Sequence, residues 1–364
     1  KLTFSEPIDD SRLEIGEPDG WDVADPAGAE QITSGGGVDD QILVLNFGEG
    51  PTPDTANTPS ITYASSDGER STHDLAGNEL VGNTWSTTDS AEPAIISAMT
   101  QDTNSNGRLD AIEVQFSEPI DDGFLVNEVD HWTAFGYTIS SIDSGTANDD
   151  KILLHLTEKT VNDTGTKPDV SYSRSGGETS VHDQSPASNE LVDTTWDKTS
   201  DGANPEVAWT TPVANTTISG TTALAVDAKD DNVTGIKSTQ FKYRADGEAS
   251  FHDIAGTSWD TTPLALGKYI LRAVVTDNAD NVTAIDETVY VAAVISNIYG
   301  HTVDTARIEI TWNTDRPTDG RIIYDTDSHS SIDPSASPNY GYANSTGTEH
   351  SAPDYGTSHA IVVG

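Results

Sequence analysis

Leu2-Thr3-Phe4-Ser5-Glu6-Pro7-Ile8-Asp9-Asp10 reappears as Val114-Gln115-Phe116-Ser117-Glu118-Pro119-Ile120-Asp121-Asp122. On either side of these stretches the same landmarks follow in the same order. Trp21 recurs as Trp132, Asp39-Asp40-Gln41-Ile42-Leu43-Val44-Leu45 as Asp149-Asp150-Lys151-Ile152-Leu153-Leu154-His155, and Ile61-Thr62-Tyr63 as Val170-Ser171-Tyr172. His73-Asp74 then returns as His182-Asp183, Asn78-Glu79-Leu80-Val81 as Asn189-Glu190-Leu191-Val192, and Trp85 as Trp196, each after a threonine. The offset drifts only between 109 and 112, so a whole domain is duplicated with small loop insertions.

Each copy reads as β. Ile112, Val114 and Phe116 fall on one face and Glu113 and Gln115 on the other, the two-residue period of a half-buried strand. Asp-Asp pairs and Ser34-Gly35-Gly36-Gly37 punctuate the runs as turns. No stretch carries the pattern of an amphipathic helix of useful length.

The chain has 364 residues, with 60 acidic against 18 basic side chains and a formal net charge of −42. That balance argues against nucleic acid, whose phosphates need clustered Lys and Arg, and against an anionic membrane surface. No run approaches the roughly 18 apolar residues of a membrane span. The absence of cysteine removes disulfides, Cys-ligated zinc and thiol catalysis. A hydrophobic content of 34% leans toward disorder, but seven Trp, eleven Tyr and many short alternating runs require folded β domains. The carboxylates divide as 19, 20, 12 and 9 over residues 1–100, 101–203, 204–291 and 292–364, so acid covers every module rather than a tail. Such a surface resembles that of haloarchaeal and other extreme-halophile proteins, where the screening length falls to about 3 Å at 1 M salt.

Phe4-Ser5-Glu6-Pro7 followed by Asp74-Leu75-Ala76-Gly77-Asn78 resembles the bacterial Ig-like domains found in tandem in prokaryotic surface proteins. The resemblance covers about residues 1–95 and 110–200, and the second copy departs from it at Asp183-Gln184-Ser185-Pro186-Ala187-Ser188-Asn189. A third unit, from about Asn204 to Val291, alternates at Leu224, Val226 and Ala228, at Phe241 and Tyr243, and at Tyr269, Leu271, Ala273 and Val275. Its Trp259-Asp260-Thr261-Thr262, Gly267-Lys268-Tyr269 and Thr276-Asp277-Asn278-Ala279-Asp280-Asn281 are similar to another branch of Ig-like surface modules. From Ala292 onward, Ile308-Glu309-Ile310-Thr311-Trp312 and Arg321-Ile322-Ile323-Tyr324 resemble strands B and C of a fibronectin type III domain, with Trp312 in the core and Ser358–Val363 as the fifth strand. The last two strands of such a domain do not follow, and Lys1 begins inside a strand, which predicts a segment of a longer polypeptide. The expected architecture is all-β: tandem Ig-like and fibronectin III-like β-sandwiches in a rod, over 1–100, 101–203, 204–291 and 292–364.

One motif carries specific chemistry. Asp102-Thr103-Asn104-Ser105-Asn106-Gly107-Arg108-Leu109-Asp110-Ala111-Ile112-Glu113 fits the twelve-position calcium loop of an EF-hand. Ca²⁺ takes six to eight hard oxygens; Asp102, Asn104, Asn106 and Asp110 supply side-chain oxygens, Arg108 its carbonyl, Gly107 the sharp turn, and Glu113 the closing carboxylate. A strand rather than a helix follows, so the loop is expected to stiffen the joint between the first two sandwiches. The acidic turns 227–232 and 277–281 are weaker calcium candidates that ordinary Asx turns explain equally well. Asp9-Asp10 and Asp121-Asp122 read as solvated loop charges.

His73-Asp74, His182-Asp183 and His252-Asp253 are sequence neighbours, which do not supply the convergence a catalytic base needs. No phosphate-binding loop or nucleophile elbow is present. Sequons at Asn162, Asn215, Asn232, Asn281 and Asn344 mark possible glycan positions on an exported chain. Together these features predict a non-catalytic structural module of an extracellular or cell-surface protein (surface layer, filament or adhesin stalk), with calcium as the ligand. Its predicted partners are further copies of itself, other surface proteins or glycans. The alternatives are an accessory or carbohydrate-binding region of a secreted hydrolase, which exposed aromatics on one sandwich face would favour, or a fibre or decoration protein of a halophile virus.

Overall fold

A computed structural model describes residues 1–13, 20–24, 31–35, 37–48, 50–51, 53–65, 71–125, 128–174, 180–230, 235–331, 333, 336, 338–349 and 354–364. The chain forms two compact units, Lys1–Ala203 and Asn204–Gly364.

The first unit holds two sandwiches with separate cores. In the first, Leu2–Thr3, Ile42–Asn46 and Gln31–Ser34 make one antiparallel sheet, and Trp21–Val23, Ser60–Tyr63 and Asn83–Ser86 the other. Trp21 packs between Tyr63 and Trp85, with ring centroids 4.8 and 5.8 Å away. In the second, Ile139–Asp143, Lys151–Leu156, Ala111–Phe116 and Ile95–Gln101 pair in that order, opposite Trp132–Ala134, Val170–Tyr172 and Thr194–Trp196. Ile112, Val114 and Phe116 are fully buried while Glu113 and Gln115 are not, as the alternation requires. Trp132 lies 4.9 Å from Tyr172, repeating the Trp21–Tyr63 contact. The strand Ile95–Gln101 precedes the repeated Ala111–Phe116 and pairs with it, and nothing in the sequence pattern announced it.

The copies diverge at one buried hydrogen bond. The Trp21 indole donates to Thr72 Oγ1 at 3.0 Å. Val181 stands at the position of Thr72 in the second copy, and there Trp132 Nε1 is buried without a partner among the described residues.

The Asp-Asp pairs are not the solvated loop charges that the sequence suggested. Asp10 N donates to Asp39 Oδ1 at 3.1 Å while Asp39 N donates back to Asp10 Oδ2 at 3.0 Å. Asp122 and Asn148 repeat the exchange at 3.2 and 2.8 Å, so the strand pairing matches Asp39 with Asn148 and Leu43 with Ile152, one residue away from the alignment of Asp39 with Asp149 that the sequence suggested. Asp39 and Asn148 both have a φ of 57°, a left-handed conformation that Asp and Asn tolerate better than most residues. Asp9 and Asp121 meanwhile cap short 3₁₀ turns, accepting from Ser11 N and Gly123 N, and the Ser11 hydrogen bonds hold the Asp9 carboxyl below its ordinary range. Short polar side chains closing local backbone donors explain why both copies keep acid at these positions.

In the second unit a five-stranded sheet runs Thr216–Ile218, Val282–Val291, Gly267–Asp277, Ile236–Ala245, His252–Ile254, its first pair parallel. Tyr269, Leu271, Ala273 and Val275 are all buried, and Leu224, Phe241 and Trp259 pack in the same core. Farther along, Ile295–Thr302, Ile308–Thr318 and Gly356–Val363 form a three-stranded sheet, and Ile323–Tyr324 pairs with Asn344–Ser345. Trp312 is buried and stacks on His359 at 5.0 Å, so the expected core tryptophan has an imidazole for its partner.

Candidate metal sites

The loop after Ile95–Gln101 closes on itself through its own carboxylates. Asp102 Oδ1 accepts from Asn106 N at 3.2 Å and its Oδ2 from Gly107 N at 2.7 Å. Asp110 accepts from Thr103 N and Oγ1 at 2.9 and 2.6 Å. Gly107 has a φ of 83°, where a side chain would be strained. Leu109, fully buried, anchors the loop, and its N–H donates to Asp163 Oδ1 at 3.0 Å.

Glu113 stands apart from this arrangement. It sits within the strand, its carboxylate 2.7 Å from Lys151 Nζ. Over the loop instead stands Glu158, which accepts from Asn104 Nδ2 at 2.6 Å and from Asn106 Nδ2 at 2.9 Å. These two amides, with the Arg108 charge a smaller cause, hold the Glu158 carboxyl below its ordinary range. Turning each amide over would present two oxygens beside the carboxylate. Sequence spacing missed Glu158 because it lies on a different segment, at the end of Lys151–Leu156, and no local pattern links it to the loop. Among the described residues, Asp102, Asp110, Glu113 and Glu158 do not bring three carboxylates within the 4.8 Å spread of a closed cation shell.

The position of the loop corrects one expectation. Gln101 pairs with Ala111 at the loop end of the hairpin and Ile95 with Phe116 at the other. Ser117, next to Phe116, meets Thr55 of the first sandwich through their hydroxyls at 2.5 Å. The loop therefore lies a full strand length, roughly 20 Å at ~3.3 Å per residue, from the joint it was expected to stiffen.

Of the weaker candidates, Asp230 and Asp277, one from each acidic turn, are both buried and bring carboxylate oxygens within 4.8 Å of each other. Asp277 also accepts from Ala279 N and Asn281 N, the Asx-turn pattern. Asp231 and Asn232 lie outside the described residues. Among the other sequons, Asn215 and Asn344 are exposed, Asn281 Nδ2 donates to Asp277, and Asn162 Nδ2 is buried.

The histidines serve the modules. His73 Nδ1 donates to Ser71 O at 2.6 Å, and His182 Nδ1 makes the same bond to Ser180 O. Asp74 accepts from Asn78 N, and Asp183 from Asn189 N, closing equivalent turns. His252 Nε2 lies 2.6 Å from Glu248 and its ring packs on Tyr243.

No protein-family model matches the chain, and no curated protein matches it. Similar solved structures include the fibronectin(III)-like modules of Clostridium thermocellum CbhA, 14% identical with a TM-score of 0.21, over 55% of this chain and 92% of that one. N-cadherin EC1-4 from Drosophila is 8% identical with a TM-score of 0.19, over 83% and 89%. Dimeric latent PorU from Porphyromonas gingivalis is 12% identical with a TM-score of 0.19, over 79% and 32%. Likenesses this distant carry no argument about role; the β architecture stands on the strand pairing itself.

Proposed function

We propose that this chain is a non-catalytic structural part of an extracellular or cell-surface protein, a series of β-sandwich modules of the Ig-like and fibronectin III-like kind over 1–100, 101–203, 204–291 and 292–364. The observation that carries this is the duplication at the level of hydrogen bonds. The Trp–Tyr core contact, the Asp10–Asp39 clamp and the His73–Ser71 bond all recur at equivalent positions. In this reading His73, His182, Asp74 and Asp183 hold their modules' turns. Further copies of the chain, other surface proteins or glycans are its partners in this reading, and among the described sequons Asn215 and Asn344 are exposed to carry glycans.

Calcium is the proposed ligand of the 102–110 loop. Asp102, Asn104, Asn106, the Arg108 carbonyl and Asp110 would contribute oxygens, with Glu158 joining from outside the twelve-residue pattern and Glu113 exchanging Lys151 for the ion if it takes part. Hydrogen–deuterium exchange with and without calcium tests this: amides 103–110 should gain protection, and unchanged exchange would remove the loop as a site. The acidic surface is the proposed adaptation to high salt. The melting temperature should rise between about 0.1 M and multimolar KCl as self-repulsion is screened, and a flat response would remove that inference. Electron microscopy of the native source would separate a layer or filament from an accessory region of a hydrolase or a viral fibre.

A further inference from the structure

Where the second sandwich meets the first, three carboxylates converge. Asp89 follows the last strand of the first sandwich; Glu118 belongs to the repeated Phe-Ser-Glu-Pro, and Asp183 to the repeated His-Asp. Each offers an oxygen within 4.8 Å of the others, and Glu118 and Asp183 are only 4% and 1% exposed. Oxygens that share one Ca²⁺ at 2.3–2.6 Å lie at most about 5 Å apart, so a single ion could contact all three.

Glu118 Oε1 is buried and has no hydrogen-bond partner. A buried carboxylate oxygen left unpaired is disfavoured as the anion until a cation or a proton meets it. Among the described residues no Lys or Arg pairs with any of the three. Asp183 is already oriented by Ser185 and Asn189, whose donors hold both its oxygens in place. A cleft lined by Thr58, Asp89, Glu118, Pro119 and Gln184 gives access from solvent.

We propose that Asp89, Glu118 and Asp183 bind a divalent cation of the calcium class, linking the end of the first sandwich to the second. This deepens the proposed calcium-dependent module but uses none of the residues of the 102–110 loop. It moves the stiffening of this joint from that loop to the module boundary.

The test is calcium chloride, with magnesium chloride for comparison, titrated calorimetrically into the full chain in about 1 M NaCl, which screens diffuse binding to surface acid. Glu118→Gln should remove one calcium equivalent or weaken it at least tenfold, and Asp89→Asn, at a partly exposed position, should weaken the same equivalent. Asp102→Asn should leave that equivalent intact. If Glu118→Gln and Asp89→Asn both bind calcium as the parent does, the junction site is overturned. If only Asp102→Asn is without effect, the loop fails and the junction stands. Folding is checked without metal: Glu118→Gln should melt at or above the parent, because the amide keeps the shape of the side chain and removes the desolvation cost of its ionised form. Should it melt lower, the Asp89→Asn titration alone decides.

Discussion

Glu6 and Glu118 are the same residue of the same motif, yet one is exposed and the other is 4% exposed. Their immediate surroundings match: Ile8 bridges to Asp74 as Ile120 bridges to Asp183, so each glutamate stands near its own aspartate. The difference comes from the neighbour. Thr55 and Asp89 of the first sandwich cover Glu118 and desolvate its carboxylate. In the proposed site the second module thus supplies Glu118 and Asp183 and the first supplies Asp89.

The cores should be interchangeable where the glutamates are not. Trp21→Ala and Trp132→Ala should each destabilise their own sandwich by about 3–5 kcal/mol, followed by chemical denaturation. A loss in one copy less than half that in the other would break the equivalence. The Asp clamp comes next: Asp10→Ala and Asp122→Ala should each lose about 0.5–2 kcal/mol, the range for capping carboxylates. An unchanged midpoint in both would return these residues to the role of solvated charge.

The copies diverge at Thr72 and Val181, and exchanging them sharpens the comparison. Val181→Thr gives the orphaned Trp132 N–H an acceptor and should stabilise by about 1 kcal/mol, while Thr72→Val should lose a similar amount. Destabilisation by Val181→Thr would mean that the hydroxyl cannot reach the indole. Smallest of all, Glu6→Gln should change stability by less than about 0.5 kcal/mol, as for an ordinary surface substitution, and should leave calcium stoichiometry unaltered. A clear effect there would show that Glu6 is not simply solvated.

The β class, the duplication and the inward faces were readable because they are local and periodic. Ile112, Val114 and Phe116 declare their burial by alternation alone, and so do Tyr269, Leu271, Ala273 and Val275. The strand Ile95–Gln101 escaped notice: Ile95-Ile96-Ser97-Ala98-Met99-Thr100 does not alternate cleanly, and its pairing with Ala111–Phe116 spans the very loop that looked like a separate motif. The Asp-Asp pairs were misread for a related reason. Asp10 meets Asp39, and Asp122 meets Asn148, across a turn whose closure only the folded sheet provides.

What the sequence determined by itself is the module: its landmarks, its period of burial and the oxygen-rich loop between 102 and 110, all set by neighbours along the chain. Only the tertiary structure decided which carboxylates share a site. Glu158 reaches the loop from the end of a neighbouring strand, and Asp89, Glu118 and Asp183 meet because one sandwich packs on the next. Burial of Glu118 is a property of that packing, since desolvation depends on what covers a group and not on the residues beside it in sequence.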